Sequence, residues 1–419
     1  MEGNLVIPLE KISRALVALV FVSTAVFIQI QGFQVNLAQL MLVILFLILL
    51  AFSRLMLHKE ITLFLGFYFI ISIVIALING FSIIHILISY LVLNMYAAVL
   101  NTVFHLHKGR IEKLLALYLN IAFLAGILGV IQEISFLSNF RPGYDFKWLF
   151  NAYAKLTYSG IFLKVPSIFT EPGYFAPFMV PAAYLSLKSL IFRSGEVAKI
   201  KAIIIVAALL FTFSIIGYLG LFLCLVVLFR KNWIIGISLG VLFTLYAAVN
   251  VASIKSRTDS VLDFFHGNLS INANFSALVT ILNYHITTQS FMTRPIFGAG
   301  IDGYEMVSSQ IMAQGFPNEV LNKYISMNHP DSLMVKDGSN LFFRIIVEFG
   351  LIGIFLIGFF MLSKFSEISY VRSIQLMCLI FIVTYSLRTG QYLRFELWFF
   401  IMLYVKIKGE EEYFQENQS

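Results

Sequence analysis

The run Leu341-Phe-Phe-Arg344-Ile-Ile-Val-Glu348-Phe-Gly350-Leu-Ile-Gly353 carries an arginine and a glutamate inside an otherwise apolar segment. An ionisable side chain near a bilayer centre costs about 2.5–3.5 kcal/mol on insertion scales, so such groups face a protein interior or a wet cavity. The spacing puts Arg344 and Glu348 on one helical face, with Asn340 a turn earlier on the same side. Two readings stay open. The pair either locks two helices as a structural ion pair, or it lines an active-site cavity in which Arg344 and Glu348 are catalytic and Asn340 binds substrate.

Other charged residues gather near membrane depth at the same chain boundaries: Arg141, Lys164, Glu171, Arg257, Arg294, Arg388, Arg394 and Glu396. Arginine matches phosphate oxygens bidentately and keeps its charge when partly desolvated. Such groups suit a lipid diphosphate, and would stabilise the charge that develops if it departs during reaction. A nearby carboxylate such as Glu171 or Glu348 could take a proton from an attacking sugar hydroxyl. Each has a plainer reading as well. An arginine at a helix end can snorkel to the interface, and Glu171 before Pro172 is a good helix start. The turn Arg388-Thr-Gly390-Gln-Tyr-Leu-Arg394-Phe-Glu396 is the more suggestive one, because its glycine lets a backbone approach closely. The histidines match no zinc spacing, and no phosphate-binding glycine loop follows a strand, so neither metal nor cofactor is expected. Arg294-Pro-Ile-Phe-Gly298-Ala-Gly300-Ile-Asp302-Gly303 taken alone is a turn signal.

The elements that must position these groups are membrane helices. Of 419 residues, 59% are hydrophobic and 12% charged, with mean hydropathy +0.89, which excludes an ordinary soluble domain. We read an all-α polytopic integral membrane protein of about twelve spans. They lie near 12–30, 37–54, 61–79, 82–103, 112–134, 172–192, 199–213, 215–230, 233–250, 340–362, 373–387 and 391–406. A tight turn around Ser214 is favoured over a kink in one long helix. Cys224 and Cys378 read as small hydrophobes. The outer segments are 135–170 and a large 251–339 loop between spans nine and ten, whose apolar clusters predict short packed helices; 407–419 is a tail. With both termini inside, inner segments carry 17 of the 29 basic and 10 of the 22 acidic residues, and the outer side is neutral. This is the positive-inside pattern, so the basic pI reflects topology rather than nucleic-acid binding.

Arg294-Pro-Ile-Phe-Gly-Ala-Gly, Ser339-Asn340…Glu348-Phe-Gly350-Leu-Ile-Gly353 and Lys164-Val-Pro-Ser-Ile-Phe-Thr-Glu171-Pro-Gly-Tyr-Phe-Ala, together with the span pattern and the large loop, resemble the O-antigen polymerase and ligase superfamily, in particular the O-antigen and capsule polymerases (Wzy). The resemblance covers mainly 160–180, 205–230 and 290–355. It implies a GT-C-like glycosyltransferase of a bacterial inner membrane, with 135–170 and 251–339 as periplasmic loops. Such an enzyme transfers a sugar chain from undecaprenyl diphosphate without a nucleotide sugar. Ligases of the superfamily have a functional histidine two residues before the asparagine matched by Asn340. Here that residue is Gly338 and the nearest histidine is His329, a further candidate ligand, which favours a polymerase of lipid-linked repeats over a ligase. The runner-up outside this class is a flippase-type transporter of the same lipid. Expected partners are the carrier-linked oligosaccharide, membrane lipids, a chain-length regulator and a flippase, and no nucleic acid.

The charge split makes a direct prediction. A cysteine introduced at Asn272 is expected to react with an impermeant thiol reagent in intact spheroplasts, and one at Ser194 to stay unlabelled. The reverse pattern would turn the chain over in the membrane.

Overall fold

The computed structural model describes residues 3–410 except 25, 31–32, 53, 80–81, 147–155, 233, 239, 243–251, 269, 271–272, 317–318, 329–332 and 334–335. His329 therefore lies outside the described residues. The long apolar runs are helices because leucine, isoleucine and phenylalanine fill them without interruption, and apolar surface all round suits burial in lipid or protein. They are α1 (Gly3–Ser23), α2 (Leu37–Ala51), α3 (Lys59–Asn79), α4 (Ile83–Leu106), α5 (Ile111–Leu137), then the single turn α6 (Arg141–Tyr144). After two short strands come α7 (Pro172–Phe192), α8 (Lys199–Phe211) and α9 (Ile215–Leu228). The large loop contributes α10 (Ala252–Phe265), α11 (Phe275–Thr293), α12 (Tyr304–Gln314) and α13 (Glu319–Met327). The chain closes with α14 (Leu341–Ser363), α15 (Ser369–Arg388) and α16 (Phe395–Lys406).

By length and composition, six of these helices can cross a membrane: α3, α4, α5, α7, α14 and α15. Helices α2 and α9 are shorter and apolar. The helix expected over 12–30 is displaced toward the N-terminus, and α1 is not among the helices long and apolar enough to cross a membrane. Helix α1 ends at Ser23, and the β-branched stretch that follows forms a hairpin, Phe27–Ile30 against Phe33–Asn36, instead of continuing the helix. Asn36 then caps α2 by accepting from the Ala38 amide at 2.8 Å. Between α8 and α9 the chain makes a turn, with Phe213 at φ +43°, so 199–228 is two helices rather than one kinked helix.

Helix α7 lies at the centre, packed against α5, α8, α9 and α15. Pro177 and Pro181 interrupt its hydrogen-bond ladder. The Tyr118 hydroxyl enters this stretch, donating to the Phe178 carbonyl at 2.6 Å and accepting from the Ala182 amide at 3.2 Å. The backbone groups are thereby satisfied without water. Ion pairs gather at the two ends of the bundle. One end holds Arg110–Glu10, Lys364–Glu60 and Lys188–Glu196; the other holds Arg388–Glu171 and Arg344–Asp302. The large loop has its own core, built around Leu278, Leu282, Tyr304, Val307 and Leu321, and it packs on Val347 of α14.

Helix α14 is broken. Gly350 has φ +58° and ψ −162°, and the segment Pro295–Gly300 lies in the gap. The amides of Ala299 and Gly300 donate to the carbonyls of Val347 and Glu348, at 2.7 and 2.9 Å. In return the Leu351 and Ile352 amides donate to Pro295 and Ile296, at 2.9 and 3.1 Å. Non-helical backbone is tolerated at such depth only where protein satisfies it. The approach needs glycine on both sides. A Cβ on Gly298 would come 2.6 Å from the Glu348 carbonyl, and one on Gly350 would come 2.5 Å from the Ile296 oxygen. The two glycine motifs of the sequence are thus halves of one joint.

Gly350→Ala is expected to lower the thermal midpoint of the detergent-solubilised protein, by the equivalent of about 1–3 kcal/mol for a strained backbone. Gly358→Ala, with open space around its Cβ, should leave it unchanged. Equal midpoints would remove the joint's structural importance.

Candidate active site

The joint delivers Arg344 and Asp302 to one place. Arg344 is 7% exposed and Glu348 is fully buried. The guanidinium donates from Nε to Glu348 Oε1 at 2.8 Å and from Nη1 to the Gly390 carbonyl at 3.3 Å. From Nη2 it donates to Asp302 Oδ1 at 2.7 Å and to the Tyr392 hydroxyl at 3.0 Å, and it stacks 3.9 Å from the Tyr392 ring centre. Four of its five N–H groups are therefore occupied within the protein. Asn340 is likewise engaged, as the N-cap of α14, accepting from the Phe343 amide at 2.8 Å. Asp302 is the open member of this cluster: its side chain is one-third exposed, and Oδ2 accepts from Ser89 Oγ at 3.1 Å.

A second cluster lies on the other flank of the 389–394 turn. Glu171, the N-cap residue of α7, accepts from Arg388 Nη2 at 2.7 Å. The Arg388 guanidinium lies 4.3 Å from the Tyr174 ring centre and that of Arg394 lies 5.8 Å from the same ring. Arg394 also donates to Gln391 Oε1 at 2.8 Å. Tyr174, Arg388 and Arg394 line a small cleft, together with Phe169, Phe178, Tyr385 and the buried Glu396. The strand–turn that carries Glu171 is held down from α5: the Ser167 amide donates to Gln132 Oε1 at 2.8 Å, and Ser167 Oγ donates to the Ala125 carbonyl at 2.7 Å. Arg257 reaches the same region from α10. Burial, and after it the charge of Arg388, push its pKa down, and it donates to Thr280 Oγ1 at 3.1 Å. Asp337, on the loop before α14, is pushed up by burial, which outweighs the opposing pull of Arg344.

The remaining candidates lie elsewhere. Arg141 is exposed and paired with Asp145 at 3.4 Å. Lys164 sits on the short strand Phe162–Lys164 beside α5, where burial lowers its pKa. Arg294 caps the C-terminus of α11 and donates to Gln310 Oε1 at 3.4 Å. None of the three lines the cleft. Sequence reasoning missed Asp302, Tyr392 and the siting of Tyr174 between two arginines. Only the repeated Gly-x-Gly around Asp302 hinted at a close backbone approach. Gly338 also gains a reason: a Cβ there would lie 2.8 Å from the ring of Tyr304, which is fully buried and donates to Asn283 Oδ1 at 2.9 Å. A histidine at 338 would have to displace that ring.

Among the described residues no group of three or more histidine, cysteine or acidic side chains could hold a metal ion. A second, apolar groove of about 660 Å³ runs along α3, α14 and α16 from Glu60 to Tyr392. No protein-family model, curated protein or solved structure matches the chain.

Removing Arg344 alone should cost more than removing both members of the Arg344–Glu348 pair, since it strands the fully buried Glu348, and breaking a buried pair from one side costs about 3–5 kcal/mol. Arg344→Leu is expected to reduce the yield and thermal midpoint of the folded protein, and Arg344→Leu/Glu348→Leu to recover part of both. A double variant no better than the single would deny the pair its structural role.

Proposed function

We propose that this chain is a polymerase of undecaprenyl-diphosphate-linked oligosaccharide repeats, an integral membrane glycosyltransferase with about twelve spans and both termini cytoplasmic. The observation that carries the reading is the convergence of Arg388 and Arg394 on one ring, Tyr174, at the mouth of a cleft. Glu171 pairs with Arg388 and Glu396 acts electrostatically on Arg394; three arginines, counting Arg257 close by, beside these two carboxylates suit a diphosphate. The N-termini of α7 and α16, at Pro172 and Phe395, open beside the cleft and add their partial positive charge. The carrier's prenyl chain belongs against apolar surface, which the groove headed by Tyr392 offers.

In this reading the arginines bind the donor diphosphate and stabilise its charge as the sugar–phosphate bond breaks. The acceptor is the terminal sugar of a second lipid-linked repeat. The buried ring of Tyr304 against Gly338 supports the polymerase over a ligase, because the position ligases give to histidine is closed to one.

Purified protein in liposomes, given one lipid-linked repeat and no other acceptor, should produce a ladder of longer carrier-linked chains. Arg388→Ala and Arg394→Ala should each lower that rate by about 100-fold or more, the scale of losing one charge-stabilising donor. No ladder from the wild type, or chains transferred only when a different acceptor lipid is added, would overturn the polymerase.

A further inference from the structure

The polymerase reading leaves the proton of the acceptor hydroxyl without a destination, and the two carboxylates suggested by sequence serve it poorly. Glu348 is fully buried and bonded to Arg344 Nε. Glu171 is paired with Arg388 on the flank assigned to the departing phosphate. Asp302 differs from both. One third of its side chain is exposed, and both oxygens are held, Oδ1 by Arg344 and Oδ2 by Ser89. Its backbone adopts φ +61°, a left-handed conformation that costs an L-residue energy and is retained here by the Gly300–Gly303 turn packed on α14.

Exposure points the same way. The Arg344 guanidinium bonds both Glu348 and Asp302, and of these two carboxylates Glu348 is sealed from solvent while Asp302 is one-third exposed. Position agrees as well. The 389–394 turn contacts both clusters: its Gly390 carbonyl and Tyr392 hydroxyl bond Arg344, while Arg388 and Arg394 at its ends lie over Tyr174. A carboxylate near one face of this turn and cations near the other fit a displacement in which proton and leaving group depart from opposite sides of the sugar.

We infer that Asp302 is the catalytic base of this site, accepting the proton of the acceptor sugar hydroxyl; the inference rests on the polymerase reading. The hydroxyl oxygen forms a bond to the anomeric carbon, and the anomeric carbon–oxygen bond to the diphosphate breaks. The bonding pair leaves with the diphosphate, and the hydroxyl proton passes to the Asp302 carboxylate. Arg344 and Ser89 act as positioning residues that hold the carboxylate toward the opening.

The test uses the full-length protein in liposomes with a single lipid-linked repeat. Asp302→Asn keeps the shape and can still accept from Arg344, but its amide is not basic. It should lower elongation by about 100-fold or more while retention of a radiolabelled lipid diphosphate stays at the wild-type level. Asp302→Glu should recover part of the rate. Wild-type elongation in Asp302→Asn would overturn the assignment while leaving the polymerase intact; no elongation by the wild type would instead sink the polymerase. Should Asp302→Asn fail to fold, the native protein decides. Carbodiimide coupling mapped to Asp302 by mass spectrometry should inactivate the enzyme and be blocked by the free repeat oligosaccharide. Inactivation without modification at Asp302, or modification there without loss of activity, would refute it.

Discussion

A guanidinium buried at membrane depth must find acceptors in the protein, because neither lipid nor bulk water supplies them. Arg344 meets that requirement with four partners drawn from three separate stretches of chain: Glu348 on its own helix, Asp302 from the large loop, and Gly390 and Tyr392 from the turn between α15 and α16. Each partner is expensive to lose, so the positions of the loop, the broken helix and the turn are coupled through one side chain. This coupling explains how a long segment between two helices acquires a defined place on the bundle.

The break in α14 serves the same end by a different force. A continuous helix would offer its carbonyls and amides to itself and leave nothing for the loop to bond. Opening the ladder at Gly350 exposes two carbonyls and two amides, and Pro295–Gly300 takes up all four. Tyr68 adds a further tie from α3, donating to the Phe349 carbonyl at 2.9 Å, and Ser72 accepts from the Ile301 amide at 2.6 Å. The loop is thus joined to the membrane helices by backbone bonds in a low-dielectric setting, where an unmade bond is costly. Asp302 lies two residues beyond the jointed segment and is positioned by it.

The two flanks of the 389–394 turn differ in electrostatic character. Around Arg344 the carboxylates outnumber the guanidinium, and its N–H groups are largely used. Around Tyr174 two guanidiniums converge beside Glu171 and the buried Glu396, at the N-termini of α7 and α16. The 389–394 turn contacts both groups.

Much of this was legible in the chain itself. Unbroken apolar runs placed the helices, because an apolar segment of that length has few stable conformations in a bilayer. The charge-bearing run at Arg344 and Glu348, and the basic turn at Arg388 and Arg394, stood out because charge at that depth is costly. The sequence also indicated that the large loop holds short helices. Folding decided the rest. That α1 ends at Ser23 and gives way to a hairpin turned on pairing between Phe27–Ile30 and Phe33–Asn36, which local hydropathy does not register. Arg294-Pro-Ile-Phe-Gly-Ala-Gly and Glu348-Phe-Gly350 looked like separate motifs, and their union depends on backbone bonds across about fifty residues, which no local periodicity records. Asp302 and Tyr392 carried no signal of their own for the same reason: a carboxylate and a phenol become partners of Arg344 only when three distant segments meet. Sequence spacing reports which side chains share a helix face, whereas the sharing of one buried cation among several loops is a property of tertiary structure alone.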